Sequence, residues 1–140
     1  MKSIFILCNV LLITCSSLAQ MNIHSMHVYE YFPDRGFTTA GLTTKMQELK
    51  ANGVKKIAVP TSDVELLAGV MNRAKVKKHI QTKIGIGAAF GQVVIASDTL
   101  DVIVLNNLII DLTNYVNYWI KDDGDQALVF KFLQRMRNVK

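Results

Sequence analysis

The chain has 140 residues, half of them hydrophobic and 19% charged, with eight Gly, two Pro and a formal net charge of +5. That composition excludes a disordered chain, a collagen-like chain and a flexible linker protein, and the length holds one domain with one well-packed core. The two cysteines, Cys8 and Cys15, both fall in the first fifteen residues, so the remainder is thiol-free.

The N-terminus has the order of a secretory signal peptide. Lys2 supplies the charge, residues 4–13 an apolar run, and Ser17 and Ala19 the small residues at −3 and −1 of a cleavage site before Gln20. The apolar run is about half of the ~20 residues that a spanning helix requires, so residues 1–19 are expected to be a cleaved leader and 20–140 the domain. Leu12-Ile13-Thr14-Cys15 resembles a lipobox, and lipidation at Cys15 is the alternative processing; Thr14 departs from the Gly, Ala or Ser usual before that Cys. Loss of Lys2 takes Lys and Arg from 16 to 15 against 11 Asp and Glu, leaving a net charge of +4 on residues 20–140. Exported domains of this size often rely on disulfides. This one would have none, and its core must stabilise it.

Residues 22–32 read as an opening strand rich in branched and aromatic side chains, and Pro33-Asp34-Arg35-Gly36 as a turn. A helix is expected over about residues 42–52, with Thr44 and Gln47 at capping-box spacing, Leu42, Met46 and Leu49 on one face, and Gly53 as its stop. Residues 54–59 form a short strand ended by Pro60. Ser62 and Glu65 predict the cap of a second helix with an apolar stripe at Leu66, Leu67, Val70, Met71 and Ala74, ending between Arg73 and His79. From Lys83 the pattern is extended: residues 84–96 carry Gly85, Gly87 and Gly91, which mark bends or bulges, and Ser97-Asp98-Thr99 turns the chain. Residues 102–105 and 108–112 read as a hairpin closed by Asn106-Asn107, because Asn tolerates positive φ. Residues 115–120 add a strand. A last helix over about residues 125–137 carries Val129, Phe132, Leu133 and Met136 at i, i+3, i+4 and i+7, with Asp125 as its cap and Arg135 and Arg137 at its C-terminal end. The class is α+β: an antiparallel sheet of about four to six strands with two or three helices on one face.

The strongest charge feature is Arg73, Lys75, Lys77, Lys78 and Lys83, with His79 among them: five permanent cations in eleven residues and no acid. It is an anion-binding surface or a solvated helix end and loop. Nucleic acid does not fit, because the net charge is modest and the stretch has no aromatic to stack on bases. The densest aromatic and amide group is Tyr115, Tyr118 and Trp119 with Asn114 and Asn117; such residues anchor interfaces when exposed and pack sheets when buried.

Gly85-Ile86-Gly87-Ala88-Ala89-Phe90-Gly91 has the wrong glycine spacing for a phosphate loop, precedes a strand and lacks a following Lys-Ser/Thr. His24 and His27, three apart on a strand, point to opposite faces, and no Cys/His cluster follows residue 19, so no metal is expected. Asp122-Asp123-Gly124-Asp125 lacks the alternating order and closing Glu of a calcium loop. No serine sits in a nucleophile elbow. What chemistry remains is a histidine, His79 or His27, with one of Asp98, Asp101 or Asp111 as acid–base partner.

Residues 102–113, Val-Ile-Val-Leu-Asn-Asn-Leu-Ile-Ile-Asp-Leu-Thr, resemble the strand pair of papain-like and transglutaminase-like domains. There a strand beginning with the catalytic His is followed by one ending in an orienting Asp before Leu-Thr or Pro-Thr. Asp111 matches that Asp and Asp101 stands about where the His would be, but the Cys of an upstream helix has no counterpart. Over these dozen residues the resemblance implies an inactive relative, not an enzyme.

The expectation is a small exported protein of the bacterial envelope or exterior: a non-catalytic, inhibitor-like or immunity-like binder. It recognises another protein, an acidic one, through sheet-edge, Tyr/Trp and basic surfaces, and needs no cofactor. The alternatives are a small hydrolase or toxin-like effector using a His/Asp pair, distinguished by a His and a carboxylate meeting in a pocket, and a small-ligand carrier, distinguished by a cavity between sheet and helices.

Overall fold

A computed structural model describes residues 21–78, 83–84 and 87–139; the expected leader, Cys15 and Gln20 lie outside the described residues. In chain order the elements are β1 (Ser25–Tyr29), β2 (Phe37–Thr38), α1 (Thr39–Ala51), β3 (Lys56–Ala58), α2 (Thr61–Arg73), β4 (Lys75–Lys78), β5 (Lys83–Ile84), β6 (Ala89–Ile95), β7 (Asp98–Leu105), β8 (Leu108–Asp111), β9 (Val116–Trp119) and α3 (Asp123–Asn138). Seven strands form one sheet in the order β3-β1-β6-β7-β8-β9-β4 with every pairing antiparallel; β2 and β5 pair separately. The α+β class stands, with more strands than the four to six expected.

β6 to β9 make a meander. The β7–β8 connection is the expected Asn106-Asn107, with Leu105 opposite Leu108. The β6–β7 turn falls one residue earlier than expected, at Ala96-Ser97, where Ala96 takes φ 50° and Asp98 already pairs with Ile95. Alternation along the central strands supplies two cores, one per face. On one face Met26, Val28, Val93, Val102, Val104 and Ile109 meet Val64, Leu67, Val70 and Met71 of α2 and Val129, Phe132, Leu133 and Met136 of α3. On the other, Tyr29, Phe90, Ile103, Leu108 and Ile110 meet Leu42, Met46 and Leu49 of α1. Two helices therefore share one face, as expected, and the third covers the opposite one. Apolar side chains at consecutive positions of β7 and β8 are the mark of a strand buried on both sides.

Helix starts depart from the sequence reading in each case. α1 starts at Thr39, three residues early: Thr38 is the N-cap and accepts from the Gly41 amide at 3.2 Å, while Thr44 sits inside the helix and donates to the Ala40 carbonyl. Its C-terminus is as expected: Gly53, at φ 60°, donates to the Lys50 carbonyl and Val54 to that of Leu49, a Schellman ending sealed by Leu49 and Val54 in the same core. α2 has no side-chain cap; the Pro60 carbonyl accepts from Asp63 and Val64, so Ser62 does not cap. In α3 the cap is Asp122, which accepts from the Asp125 amide at 2.9 Å, and Asp125 is three residues inside the helix.

α2 and α3 lie side by side, joined at both ends by ion pairs. Arg73, in the last turn of α2, grips Asp125 in the first turn of α3 through two bonds of 3.0 and 2.7 Å; Arg135, in the last turn of α3, grips Asp63 in the first turn of α2. Each carboxylate sits where the positive end of its helix favours it, and each guanidinium at a negative end. No helix of the described residues is long and apolar enough to cross a membrane.

Candidate functional site

The lysine stretch, expected as a helix end and loop, continues instead as β4. α2 stops at Arg73, and Lys75-Val76-Lys77-Lys78 pairs with β9 at the end of the seven-stranded sheet. The register places Lys75 opposite Trp119, Val76 opposite Tyr118, Lys77 opposite Asn117 and Lys78 opposite Val116. The basic and aromatic groups, some forty residues apart in sequence, thus occupy one strand pair. All four β4 residues are exposed, Val76 at 58%, and no described strand lies beyond β4. Neither Lys75, Lys77 nor Lys78 has an ion pair among the described residues.

Alternation divides this edge into two stripes. Lys75 and Lys77 share a face with Trp119 and the fully buried Asn117; Val76 and Lys78 share the other with Tyr118 and Val116. The Trp119 indole N–H is buried without a hydrogen-bond partner among the described residues. Burial, with a smaller contribution from Asp111, raises the Tyr118 phenol above its ordinary pKa, so it stays protonated. Tyr115 is 60% exposed in the β8–β9 turn at φ 56°. Arg73, by contrast, is held by Asp125, which raises the pKa of the guanidinium and makes it a structural cation. Lys83 belongs to β5, where it pairs with Thr38, and not to this edge. His79 lies outside the described residues.

The candidate acid–base residues do not assemble. His27, Gln92 and Asp101 form one row across β1, β6 and β7, with Gln92 between the other two. The Asp101 carboxylate is taken by Gln92 Nε2 at 2.9 Å and Lys50 Nζ at 2.6 Å. Asp111 is on the opposite face: Asp101 raises the pKa of Tyr29 beneath α1, whereas Asp111 acts on Tyr118. Asp111 is 2% exposed and accepts from the Thr113 amide, the Asn114 amide and Asn114 Nδ2 at 2.9, 2.9 and 2.7 Å, closing the β8–β9 turn. The arrangement implied by the papain-like resemblance, with Asp111 orienting a group at position 101, is therefore absent, because Asp111 faces Val102 across the hairpin and Asp101 points away. Asp98 is exposed at the β6–β7 turn. No group of three or more metal-ligating side chains occurs among the described residues.

A feature without any sequence signal lies beneath the end of α1. Lys50, Asp101, Gln92 and Lys56, from four different elements, are joined by hydrogen bonds beside a cleft that Tyr29 also lines. Comparison with protein-family models, with curated proteins and with solved structures finds no match.

Proposed function

We infer that this protein is a non-catalytic binding module that holds an extended, acidic segment of another protein against β4. The observation that carries the reading is the exposed, lysine-rich strand at the end of the sheet, backed by Tyr118 and Trp119 of β9. An edge strand offers backbone N–H and C=O groups to an added strand, and side chains decide which strand is accepted. Three lysines repel basic edges and would lose hydration against apolar ones, which is how edge strands avoid indiscriminate pairing. The same lysines favour a partner with carboxylates opposite Lys75 and Lys77, two residues apart, and an apolar side chain over Val76. Export of the protein to the envelope or exterior, expected from residues 1–19, belongs to the same proposal.

The test is titration of the purified protein with a peptide alternating Glu and Val, and with its Lys/Val counterpart. The Glu peptide is expected to bind with an affinity that falls as salt rises, and the Lys peptide not at all. In the variant carrying Lys75→Glu, Lys77→Glu and Lys78→Glu the preference reverses while thermal unfolding is little changed, since exposed charges contribute only about 0–1 kcal/mol each. Equal binding of both peptides, or an unchanged preference after reversal, contradicts the reading.

A further inference from the structure

The C-terminal half of α3 brings Phe130, Leu133, Gln134 and Arg137 to one side of the helix, at i, i+3, i+4 and i+7. Between that side and the β7–β8 turn lies a pocket of about 220 Å3. Leu133 and Leu105 give it an apolar lining, Asn106 and Gln134 two amides, and Gly87, just before β6, a further edge. Phe130 lines it while 52% exposed, so the pocket opens to solvent beside an aromatic ring.

Arg137 is the one charged side chain among the described residues that line the pocket. Its guanidinium is placed at the pocket edge from two sides. Nη2 lies 2.6 Å from where a Cβ on Gly87 would stand, and Cζ is 5.9 Å from the centroid of the Phe32 ring. Glycine at 87, with φ 103°, therefore admits the guanidinium where any side chain would push it away. Arg135, two residues earlier, spends its fork on Asp63. Arg137 has no ion pair among the described residues, so its N–H donors are open to a ligand. A carboxylate matches such a fork with two parallel hydrogen bonds. The negative end of α3 offsets part of the arginine charge, so the site balances one negative charge and not two.

We propose that this pocket binds a small aromatic monocarboxylate, with the carboxylate on Arg137 and the ring against Phe130, Leu105 and Leu133. Size sets the class of ligand. A cavity of about 150 Å3 takes one benzene ring, so about 220 Å3 takes one ring with a short carboxyl-bearing chain. The exposed Phe130 ring offers a face or edge to the ring of the ligand, an arrangement that adds to the burial of both. A dianion finds no second cation here and leaves the apolar lining unused. The pocket shares no residue with β4, so this proposal and the strand-edge reading fail separately.

The experiment is an NMR titration of the 15N-labelled protein with 3-phenylpropionate, its neutral amide, the corresponding amine, and sulfate as a dianion without an apolar part. The carboxylate is expected to give saturable shifts confined to the amides of Gly87, Asn106 and the last two turns of α3. The neutral amide should bind about tenfold more weakly, the loss of a charge-assisted pair, and the amine and sulfate should leave those amides unmoved. Arg137→Gln is expected to weaken the carboxylate about tenfold for the same reason, and Phe130→Ala to weaken it several-fold. Both side chains are exposed, so the spectra of the variants should otherwise match that of the parent. Absence of saturable binding up to about 20 mM, a range that would detect even weak sites, overturns the proposal. So does binding of the amide or amine equal to that of the acid, displacement of the acid by sulfate, or affinity unchanged in Arg137→Gln. Tighter binding of a peptide ending in a free C-terminal Phe would assign the pocket to a chain terminus and overturn the assignment to a small acid.

Discussion

Asp125 shows how one side chain serves two ends of a helix pair. Its amide is capped by Asp122, while its carboxylate takes both arms of the Arg73 fork and lowers its own pKa from the ordinary 3.8; the hydrogen bonds to Arg73 are the main cause, partly opposed by burial. A carboxyl whose pKa is lower in the folded state than in the unfolded one stabilises the fold fully above the unfolded value. That contribution disappears as pH falls through the lowered folded value. Asp125→Asn is therefore expected to cost about 1 kcal/mol at neutral pH and progressively less as the solution is acidified below the ordinary carboxylate range. Urea unfolding at pH 7 and pH 3 measures both; a cost that grows on acidification would show that the pair does not hold α2 to α3. The role of Arg73 was hidden in sequence because its partner lies 52 residues away. Next to Lys75, Lys77 and Lys78 it reads as one more surface cation, and only the fold separates it from them.

Elements with a buried stripe were legible, and elements without one were not. α3 presents Val129, Phe132, Leu133 and Met136 at helical spacing, and all four are buried in the first core. Leu133→Ala is expected to destabilise by ~2–5 kcal/mol, the transfer and cavity cost of a core leucine; calorimetry showing a loss well under 1 kcal/mol would mean α3 is rotated. β4 has no such stripe. Lys-Val-Lys-Lys at an exposed edge gives no hydrophobic alternation, so sequence reasoning carries the helix or a loop through it. β2, two residues long, is hidden for the same reason. Helix starts failed for a different cause. Ser62-x-x-Glu65 and Thr44-x-x-Gln47 have the spacing of capping boxes, but the chain reaches helical geometry at Thr61 and Thr39 first. Gly91 marks a bend or bulge in the sequence pattern, but its necessity is steric. A Cβ there would stand 2.7 Å from the His27 carbonyl oxygen on the neighbouring strand. Gly91→Ala is expected to cost ~1–3 kcal/mol by overpacking and to speed amide exchange along β1 more than along β8. Unchanged exchange in β1 would contradict the register of β1 with β6.

For the whole molecule, the seven-stranded sheet separates two cores and two surfaces. α2 links β3 at one end of the strand order to β4 at the other, and so brings a lysine strand to the open end of a sheet whose central strands are mostly apolar. The α+β class and the antiparallel meander were legible because β7, Asn106-Asn107 and β8 write their own hairpin. The order of the strands was not, since nothing local tells β4 to pair with β9 across forty residues. The same holds for the cleft at Tyr29, assembled from residues of unrelated segments. What the sequence did carry were the two ingredients of the edge, the lysine run and the Tyr/Trp group, and the fold puts them on adjacent strands.

The most direct measurement of the central claim is hydrogen–deuterium exchange of the β4 amides, residue by residue, with and without the Glu/Val peptide. Pairing of the peptide along β4 predicts slowed exchange at Lys75 to Lys78, alternating along the strand, with β3 at the far edge unaffected. Peptide binding that leaves β4 exchange unchanged, or protects β3 instead, would contradict it.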